Sequence, residues 1–172
     1  MHPKIQPLDK LVAIVHSQRD AGKHVVFTNG CFDLLHVGHV RYLDQARQLG
    51  DLLIIGLNSD QSVRSLGKGS DRPIVQDQER AEVLAALACV DFVTIFDEPH
   101  PLTVIHALVP HILVKGGDWL PEHIIGREFV ENHGGTVVSI PLVPHVSTTH
   151  LVERIRSRHS TSTQENAYGE SP

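Results

Sequence analysis

Residues 28–39 read TNGCFDLLHVGH, and this stretch decides how the rest of the chain is interpreted. The residues from His24 to Thr28 form a short β-branched run, which predicts a strand. The residues from Val37 to Leu49 have the spacing of a helix, and Gly50 is a natural stop for it. The stretch therefore lies where a strand passes into a helix.

Two histidines mark the start of this helix. His36 and His39 are three residues apart, so their side chains project to the same side, and Gly38 between them lets a ligand approach the backbone. The free N–H groups of a helix start favour a phosphate, and imidazole N–H donors can stabilise charge that develops on it. We therefore favour a phosphate pocket here.

Three other interpretations of the histidines compete with a phosphate pocket. A metal pair lacks an evident third ligand. A chain with 13 histidines could also place two of them as incidental helix-cap residues. A NAD-type fingerprint fails, because G-x-G-x-x-G is absent after this strand.

Apolar segments alternate with helix-forming segments along the chain. Further strands are predicted over residues 52–57, 92–96, 111–115 and 136–140. Helices are predicted over residues 8–22, 77–88, 101–108, 124–132 and 147–156, and residues 60–73 are interpreted as a long connection. The alternation predicts an α/β fold, a Rossmann-like doubly wound parallel sheet of about five strands in a single domain.

Composition excludes several classes of protein. The net charge of −5 argues against a nucleic-acid partner. No apolar run approaches the roughly 18 residues that a membrane span needs, and the first ten residues have no apolar signal-peptide core, so we expect a cytoplasmic protein without a membrane partner. Cys31 and Cys89 show no CxxC spacing, which argues against a disulfide or zinc framework.

Two further segments favour phosphate binding. Lys115 ends a buried-looking strand at the ligand edge of the sheet, where a lysine is costly unless it faces solvent or an anion. Ser147, Thr148 and Thr149 open the last helix; one hydroxyl can cap it, and three in a row suggest a triphosphate site.

Two basic segments have less specific patterns. The loop from Gly67 to Pro73 is either a solvated surface or a flap whose Lys68 closes over phosphates. Arg80 is interpreted as a surface or intrahelical-pair residue, with phosphate contact as the alternative.

The pattern Gly30-x-Phe32-Asp33-x-x-His36-x-Gly38-His39 resembles the signature of the cytidylyltransferase-like nucleotidyltransferases, the HxGH superfamily. Residues 115–119, KGGDW, resemble its KGxDW element, and residues 147–149 resemble its ISTT element. The resemblance covers residues 25–155. The longer segments VFTNGCFDLLHVGHVRYL, RPIV, ERAEVLAAL, FDEP, LVKGGDW and IPLVP are similar to the heptose 1-phosphate adenylyltransferases within that superfamily.

The resemblance implies transfer of AMP from ATP, with Mg²⁺, to a sugar 1-phosphate, giving ADP-heptose for the lipopolysaccharide core. It implies catalytic roles for His36 and His39 and phosphate contacts for Arg72 and Lys115, with no metal held by protein side chains. The implied nucleotide-binding residues are Asn29, Gly30, Cys31, Phe32, Asp33, Gly38, Lys68, Gly117, Asp118, Ser147, Thr148 and Thr149. A separate heptose kinase would act upstream, and a homodimer is one assembly considered.

The chain departs from related patterns before its last helix. Leu142 stands where related cytidylyltransferases have an arginine, which favours a purine over a pyrimidine. His145 and Val146 replace a glycine-bearing segment expected in the heptose enzymes. A guanylyl- or cytidylyltransferase acting on another sugar or polyol phosphate therefore stays open, as does a non-catalytic nucleotide sensor.

The expected domain organisation has three parts. Residues 1–22 form an N-terminal helical extension, and residues 23–157 form the nucleotidyltransferase domain. Residues 158–172 are rich in Ser, Thr, Gln and Glu, and we expect a disordered tail.

Overall fold

The computed structural model describes residues 2–67, 71–117, 123–141, 143–144 and 146–165, with side chains described as far as Arg158. The described strands are β1 Val25–Gly30, β2 Leu52–Asn58, β3 Phe92–Phe96, β4 Ile112–Gly116 and β5 Thr136–Ile140. The described helices are α1 Leu8–Asp20, α2 Val37–Arg47, α3 Asp60–Ser65, α4 Asp77–Ala85, α5 Leu102–Leu108, α6 Arg127–Asn132 and α7 Thr148–Glu165.

All five strands pair in parallel in the order β3-β2-β1-β4-β5. The chain therefore winds outward from β1 through β2 to β3, and then crosses to the other side of β1 for β4 and β5. Helices α2 and α4 cover one face of the sheet with one apolar cluster, and α1, α5 and α6 cover the other face with a second cluster. The predicted doubly wound parallel sheet of about five strands is confirmed.

The apolar run of β2 shows why the sheet is covered on both faces. Leu53, Ile55 and Leu57 enter the cluster beneath α2 and α4, whereas Ile54 enters the opposite cluster. Alternate side chains of a strand point to opposite faces, so a strand without polar alternation must be buried on both.

The N-terminal helix belongs to the same core. Leu11 and Val15 are fully buried among residues of α5 and the sheet. Ile5, just before the helix, forms a parallel bridge with Val93 of β3. Residues before the first strand thus help to cover the sheet, while the domain boundaries set at residues 22 and 157 stay a prediction.

Two short segments differ from expectation. Asn29 and Gly30, which lie beyond the strand predicted over residues 24–28, continue β1 and pair in register with Gly56 and Leu57. The segment after β2, interpreted as a connection, begins with helix α3, because the Ser59 hydroxyl caps it by accepting from the Ser62 N–H at 3.1 Å.

The last helix is longer than the sequence predicted. It was expected to end near Arg156, with disorder from Arg158, but α7 is helical to Glu165. Ser147 caps it by accepting from the His150 N–H at 3.1 Å. The extension reads SRHSTSTQE and is mostly Ser, Thr and His, which are weaker helix formers, so it continues the helix because propagating a formed helix is easier than nucleating one.

Candidate active site

A concave site lies at the carboxyl ends of β1 and β4, where the direction of winding reverses. It is a cavity of about 640 Å³ lined by residues from the ends of β1 and β4, the loop after β1, α2, α3, the segment before α4 and the start of α7. Ligands of doubly wound sheets bind at such a reversal. Its lining residues are Asn29, Gly30, Cys31, Phe32, Asp33, His39, Tyr42, Val63, Arg72, Lys115, Gly116, Thr148 and Thr149.

The two histidines form a stacked pair at the start of α2. His36 is the N-cap residue, and its Nδ1 accepts from the His39 N–H at 3.4 Å. Their ring centroids lie 3.8 Å apart with planes inclined by 17°. His39 lines the cavity, whereas His36 is not among its lining residues, so the predicted contact of His36 with a phosphate stays a prediction.

Gly38 has a packing role in this pair. A β-carbon at this buried position would lie 2.9 Å from the His36 Nδ1. The absent side chain therefore leaves room for the His36 ring rather than opening the backbone to the cavity, and Gly38 does not line it. Contact between Gly38 and a nucleotide stays a prediction.

Burial keeps both imidazoles neutral at neutral pH. Burial, reinforced by His36, lowers the pKa of His39 to about 4, although a backbone interaction with Leu34 acts in the opposite direction. Burial also lowers the pKa of His36. Each neutral ring can donate one N–H, and because His36 Nδ1 accepts a hydrogen bond, its own proton is assigned to Nε2.

The chain turns sharply between β1 and the histidines. Phe32 adopts a positive φ of 43°, which is rare for a non-glycine residue. Its buried ring meets the His39 ring edge-on, with centroids 5.2 Å apart. The turn thus fixes one side of the His39 imidazole while His36 fixes the other.

Asp33 and Arg72, predicted to contact different parts of the substrates, form an ion pair with each other. Arg72 Nη1 donates to Asp33 Oδ2 at 2.7 Å, and Asp33 Oδ1 accepts from the backbone N–H groups of Ile74 and Val75 at 2.8 and 3.0 Å. Burial alone would raise the pKa of Asp33, but these hydrogen bonds outweigh it and lower the pKa. The carboxylate therefore anchors the segment before α4 to the site.

Arg80 is a residue whose role the sequence interpretation missed. Its side chain is fully buried rather than exposed, and its Nη2 lies 2.8 Å from Asp60 Oδ1. Its Nε donates to the Val75 carbonyl at 2.9 Å, and its Nη1 donates to the Cys31 carbonyl. In the sequence, the only local sign is that Arg80 lies one helical turn before the apolar Leu84, and this spacing alone does not predict burial of a charged residue.

Lys115 connects the carboxyl end of β4 to that of the neighbouring strand β1. Its Nζ donates to Asn29 Oδ1 at 2.9 Å, and both residues line the cavity. The predicted position of a cation at the ligand edge is therefore confirmed, while its contact with a phosphate stays a prediction.

A hydroxyl pair beneath the cavity was not foreseen from the sequence. Thr28 Oγ1 and Tyr42 Oη lie 2.6 Å apart in a buried position. Tyr42 follows His39 by three residues on α2 and lines the cavity, and burial raises its pKa to about 12. The phenol is therefore protonated throughout the physiological pH range.

The start of α7 also lines the cavity. Thr148 and Thr149 line it, and Thr148 Oγ1 donates to the Leu34 carbonyl at 3.3 Å, whereas Ser147 acts as the cap described above. Farther along α7, Arg156 Nη2 lies 2.6 Å from Asp71 Oδ2. The helix is thus tied both to the loop after β1 and to the segment before α4.

Other residues singled out from the sequence do not line the described cavity or lie outside the described part of the chain. Lys68, Asp118, Leu142 and His145 lie outside the described residues, so their predicted roles are untested. Gly117 is described but does not line the cavity; its N–H donates to the Ile140 carbonyl at 2.9 Å.

The described residues contain neither a metal-binding cluster nor a membrane-spanning helix. No three His, Cys, Asp or Glu side chains in this part of the chain gather in a way that could hold a metal ion. Among the helices described, none has the length and apolar character required to cross a bilayer.

Comparison with known proteins places this site in a family. A family model described as cytidylyltransferase-like matches residues 27–163. Over 154 residues the chain is 58% identical to the bifunctional protein HldE of Geotalea uraniireducens (strain Rf4), covering 90% of this chain and 31% of that protein. HldE of Helicobacter pylori (strain P12) is 48% identical over 159 residues, covering 92% and 32%. The chain therefore spans about a third of the length of these curated relatives.

Solved structures agree on the architecture. The lipopolysaccharide core biosynthesis protein from Thermoplasma volcanium GSS1 has a TM-score of 0.59 and 26% identity, covering 73% of this chain and all of that one. Pantoate-β-alanine ligase from Francisella tularensis, at a TM-score of 0.51 and 16% identity, shares the fold alone. Since the family model spans the stacked histidines, both central strands and the start of α7, this chain belongs to the cytidylyltransferase-like nucleotidyltransferases.

Proposed function

We propose that this chain is a D-glycero-β-D-manno-heptose 1-phosphate adenylyltransferase, which transfers AMP from ATP to the sugar 1-phosphate. The products would be ADP-heptose, for the lipopolysaccharide core, and pyrophosphate. The observation that supports this most directly is the convergence of His39, Lys115 and the start of α7 on one cavity. The choice of sugar is supported by the similarity to the HldE proteins and by the segments that resemble heptose 1-phosphate adenylyltransferases.

The proposed reaction is a direct displacement at phosphorus. An oxygen of the sugar 1-phosphate attacks the α-phosphorus of ATP and forms a new P–O bond. The bond between the α-phosphorus and the oxygen that bridges to the β-phosphate breaks, and pyrophosphate leaves with that electron pair. No covalent enzyme intermediate forms, so the protein contributes positioning and charge stabilisation.

His39 is the proposed donor to the α-phosphate. Its ring is fixed between Phe32 and His36, so little reorganisation is needed when charge moves onto the phosphate oxygens. A bound phosphate would favour the protonated ring and raise the pKa of His39 from its low value in the free site. In this proposal His36 both positions His39 and contacts the triphosphate.

Lys115, Arg72 and α7 are the proposed anchors for the remaining phosphate charge. Lys115 supplies a cation at the end of β4, and the first N–H groups of α7 supply donors near Thr148 and Thr149. Arg72 uses Nη1 for Asp33, and a guanidinium has five N–H donors, so others can bind the sugar phosphate.

Mg²⁺ is proposed to arrive with ATP. Asp33, the carboxylate among the described residues that line the cavity, is already engaged by Arg72 and two backbone N–H groups, so it is not a ready metal ligand. Phosphate oxygens and water would hold the ion, which neutralises charge on the triphosphate.

The base preference is proposed from Leu142. A pyrimidine edge needs a donor, which an arginine supplies in related cytidylyltransferases, and leucine has none. A buried polar edge without a partner costs about 1–3 kcal/mol, which corresponds to CTP being poorer than ATP by roughly tenfold to a hundredfold in specificity constant.

A pyrophosphate-release assay tests the proposal. The purified chain is incubated with ATP, GTP or CTP against a panel of sugar and polyol phosphates, and we expect the highest rate with ATP and heptose 1-phosphate. Preference for GTP or CTP, or for another phosphate, would reassign the substrates within the family. Tight ATP binding without any pyrophosphate would instead identify a nucleotide sensor.

The proposal also includes the cellular setting. The sugar 1-phosphate must come from a phosphorylating enzyme, and we propose that a heptose kinase activity acts upstream. Because ATP is the donor, we propose a cytoplasmic location.

A further inference from the structure

The Thr28–Tyr42 pair contains two hydroxyl protons but only one hydrogen bond. One hydroxyl donates to the other across 2.6 Å, which leaves one O–H without an acceptor in the described part of the chain. A buried donor without a partner is costly, and native structures satisfy nearly all such groups. The second proton therefore requires an acceptor from outside the described protein.

The geometry indicates which of the two hydroxyls has the O–H that lacks an acceptor. Thr28 has no exposed surface and does not line the cavity, whereas Tyr42 lines it and is 6% exposed. If Tyr42 donated to Thr28, the Thr28 proton would be left without an acceptor in the described interior. The arrangement without this penalty has Thr28 donating to Tyr42 and Tyr42 donating into the cavity.

The surroundings indicate the acceptor. Tyr42 lies one helical turn after His39, on the side of α2 that faces the cavity, which Lys115 and the start of α7 also line. All of these groups donate hydrogen bonds or carry positive charge. An additional donor in such a place fits an oxygen that only accepts, as the oxygens of an ionised phosphate do.

We propose that the phenolic O–H of Tyr42, oriented by Thr28, donates a hydrogen bond to a phosphate oxygen of the substrate held beside His39. The inference rests on the proposed nucleotidyl transfer and deepens it by adding a substrate-binding residue. The phosphate is either that of ATP or that of the sugar 1-phosphate.

The test compares Tyr42→Phe with the wild type by calorimetric binding of ATP alone and of sugar 1-phosphate alone. Loss of a charge-assisted hydrogen bond predicts an affinity about tenfold to a hundredfold lower for one of the two ligands, which identifies the source of the phosphate. Thr28→Val should weaken the same ligand, and Thr28→Ser should restore most of its affinity.

Thr94→Val is the matched control. Thr94 is also a fully buried strand threonine, its hydroxyl has no hydrogen-bond partner among the described residues, and it does not line the cavity. We expect this variant to bind both ligands like the wild type. Tyr42→Phe keeps the ring and its packing. If this variant still fails to fold, the ligand affinities of Thr28→Val and Thr28→Ser are compared instead, and equal affinities would contradict the proposal.

Affinities of Tyr42→Phe within twofold of wild type for both ligands, with or without a lower melting temperature, would overturn the proposal and leave the pair a structural contact. Failure of the wild type to release pyrophosphate would count against the proposed function alone. In that case a selective loss of ATP binding in Tyr42→Phe would still support the role of Tyr42.

Discussion

Replacing Arg80 by methionine should destabilise the whole fold. The change keeps an unbranched apolar stem but removes a guanidinium whose side chain has no exposed surface. Three acceptors lose their donor: the Asp60 carboxylate at 2.8 Å, the Val75 carbonyl at 2.9 Å and the Cys31 carbonyl. These acceptors belong to α3, the segment before α4 and the loop after β1.

The expected magnitude follows from the burial of each partner. Removing one member of a buried ion pair typically costs about 3–5 kcal/mol. The Asp60 side chain is 23% exposed, so water can partly replace the lost donor, which points to the lower end of that range. We expect the free energy of unfolding to fall by about 3 kcal/mol, equivalent to a melting temperature lower by roughly 6–12 °C for a chain of this size.

Urea denaturation followed by circular dichroism measures this change, with thermal unfolding as a second readout. Arg127→Ala is the control, since Arg127 pairs with Glu131 at 2.9 Å on an exposed helix face, where the side chains are 36% and 44% exposed. An exposed pair of this kind contributes less than about 1 kcal/mol. If Arg80→Met costs no more than this control, the account of Arg80 as a buried tie between site segments is wrong.

Three further predictions concern the site and the last helix. His39→Ala should lower turnover roughly a hundredfold to a thousandfold, as loss of a transition-state donor does, and activity within threefold of wild type at an unchanged melting temperature would contradict the role. In the folded protein the pKa of His39 is about 4, below its ordinary value of 6.5. Neutral His39 therefore contributes stability above pH 6.5, and this contribution is lost as the pH falls toward 4. His39→Gln should therefore flatten this part of the stability profile measured by urea denaturation, and a profile as steep as the wild type's would refute the assignment. Truncation after Arg158 retains Thr148 and Arg156, so activity and melting temperature should stay unchanged, whereas a clear drop in melting temperature would show that the removed residues are docked.

The sequence predicted the fold well because its signals are local. The uninterrupted apolar run of β2 and the alternation of strand and helix patterns imply a covered parallel sheet before any contact is known. The junction around His36 and His39 was also predictable, because the spacing of two residues on one helix start fixes their common side. Together these signals located the site at the carboxyl edge of the sheet.

The polar pairings could not be predicted, because they join residues far apart in sequence. Nothing local indicates that Asp33 pairs with Arg72, so each was expected to contact substrate. Arg80 was interpreted from its neighbours in the chain, and only the packing of α4 against α3 and the loop after β1 shows it to be buried.

By itself, the sequence determined the class of fold, the edge of the sheet at which a ligand is expected and the histidine pair at the start of α2. Only the tertiary structure decided which polar groups are already satisfied by the protein and which remain for a substrate. The reason is that apolar periodicity acts through one element at a time, whereas a hydrogen bond depends on two side chains meeting at a definite distance. Asp33 is engaged by Arg72 for this reason, and Tyr42 lies within hydrogen-bonding distance of Thr28.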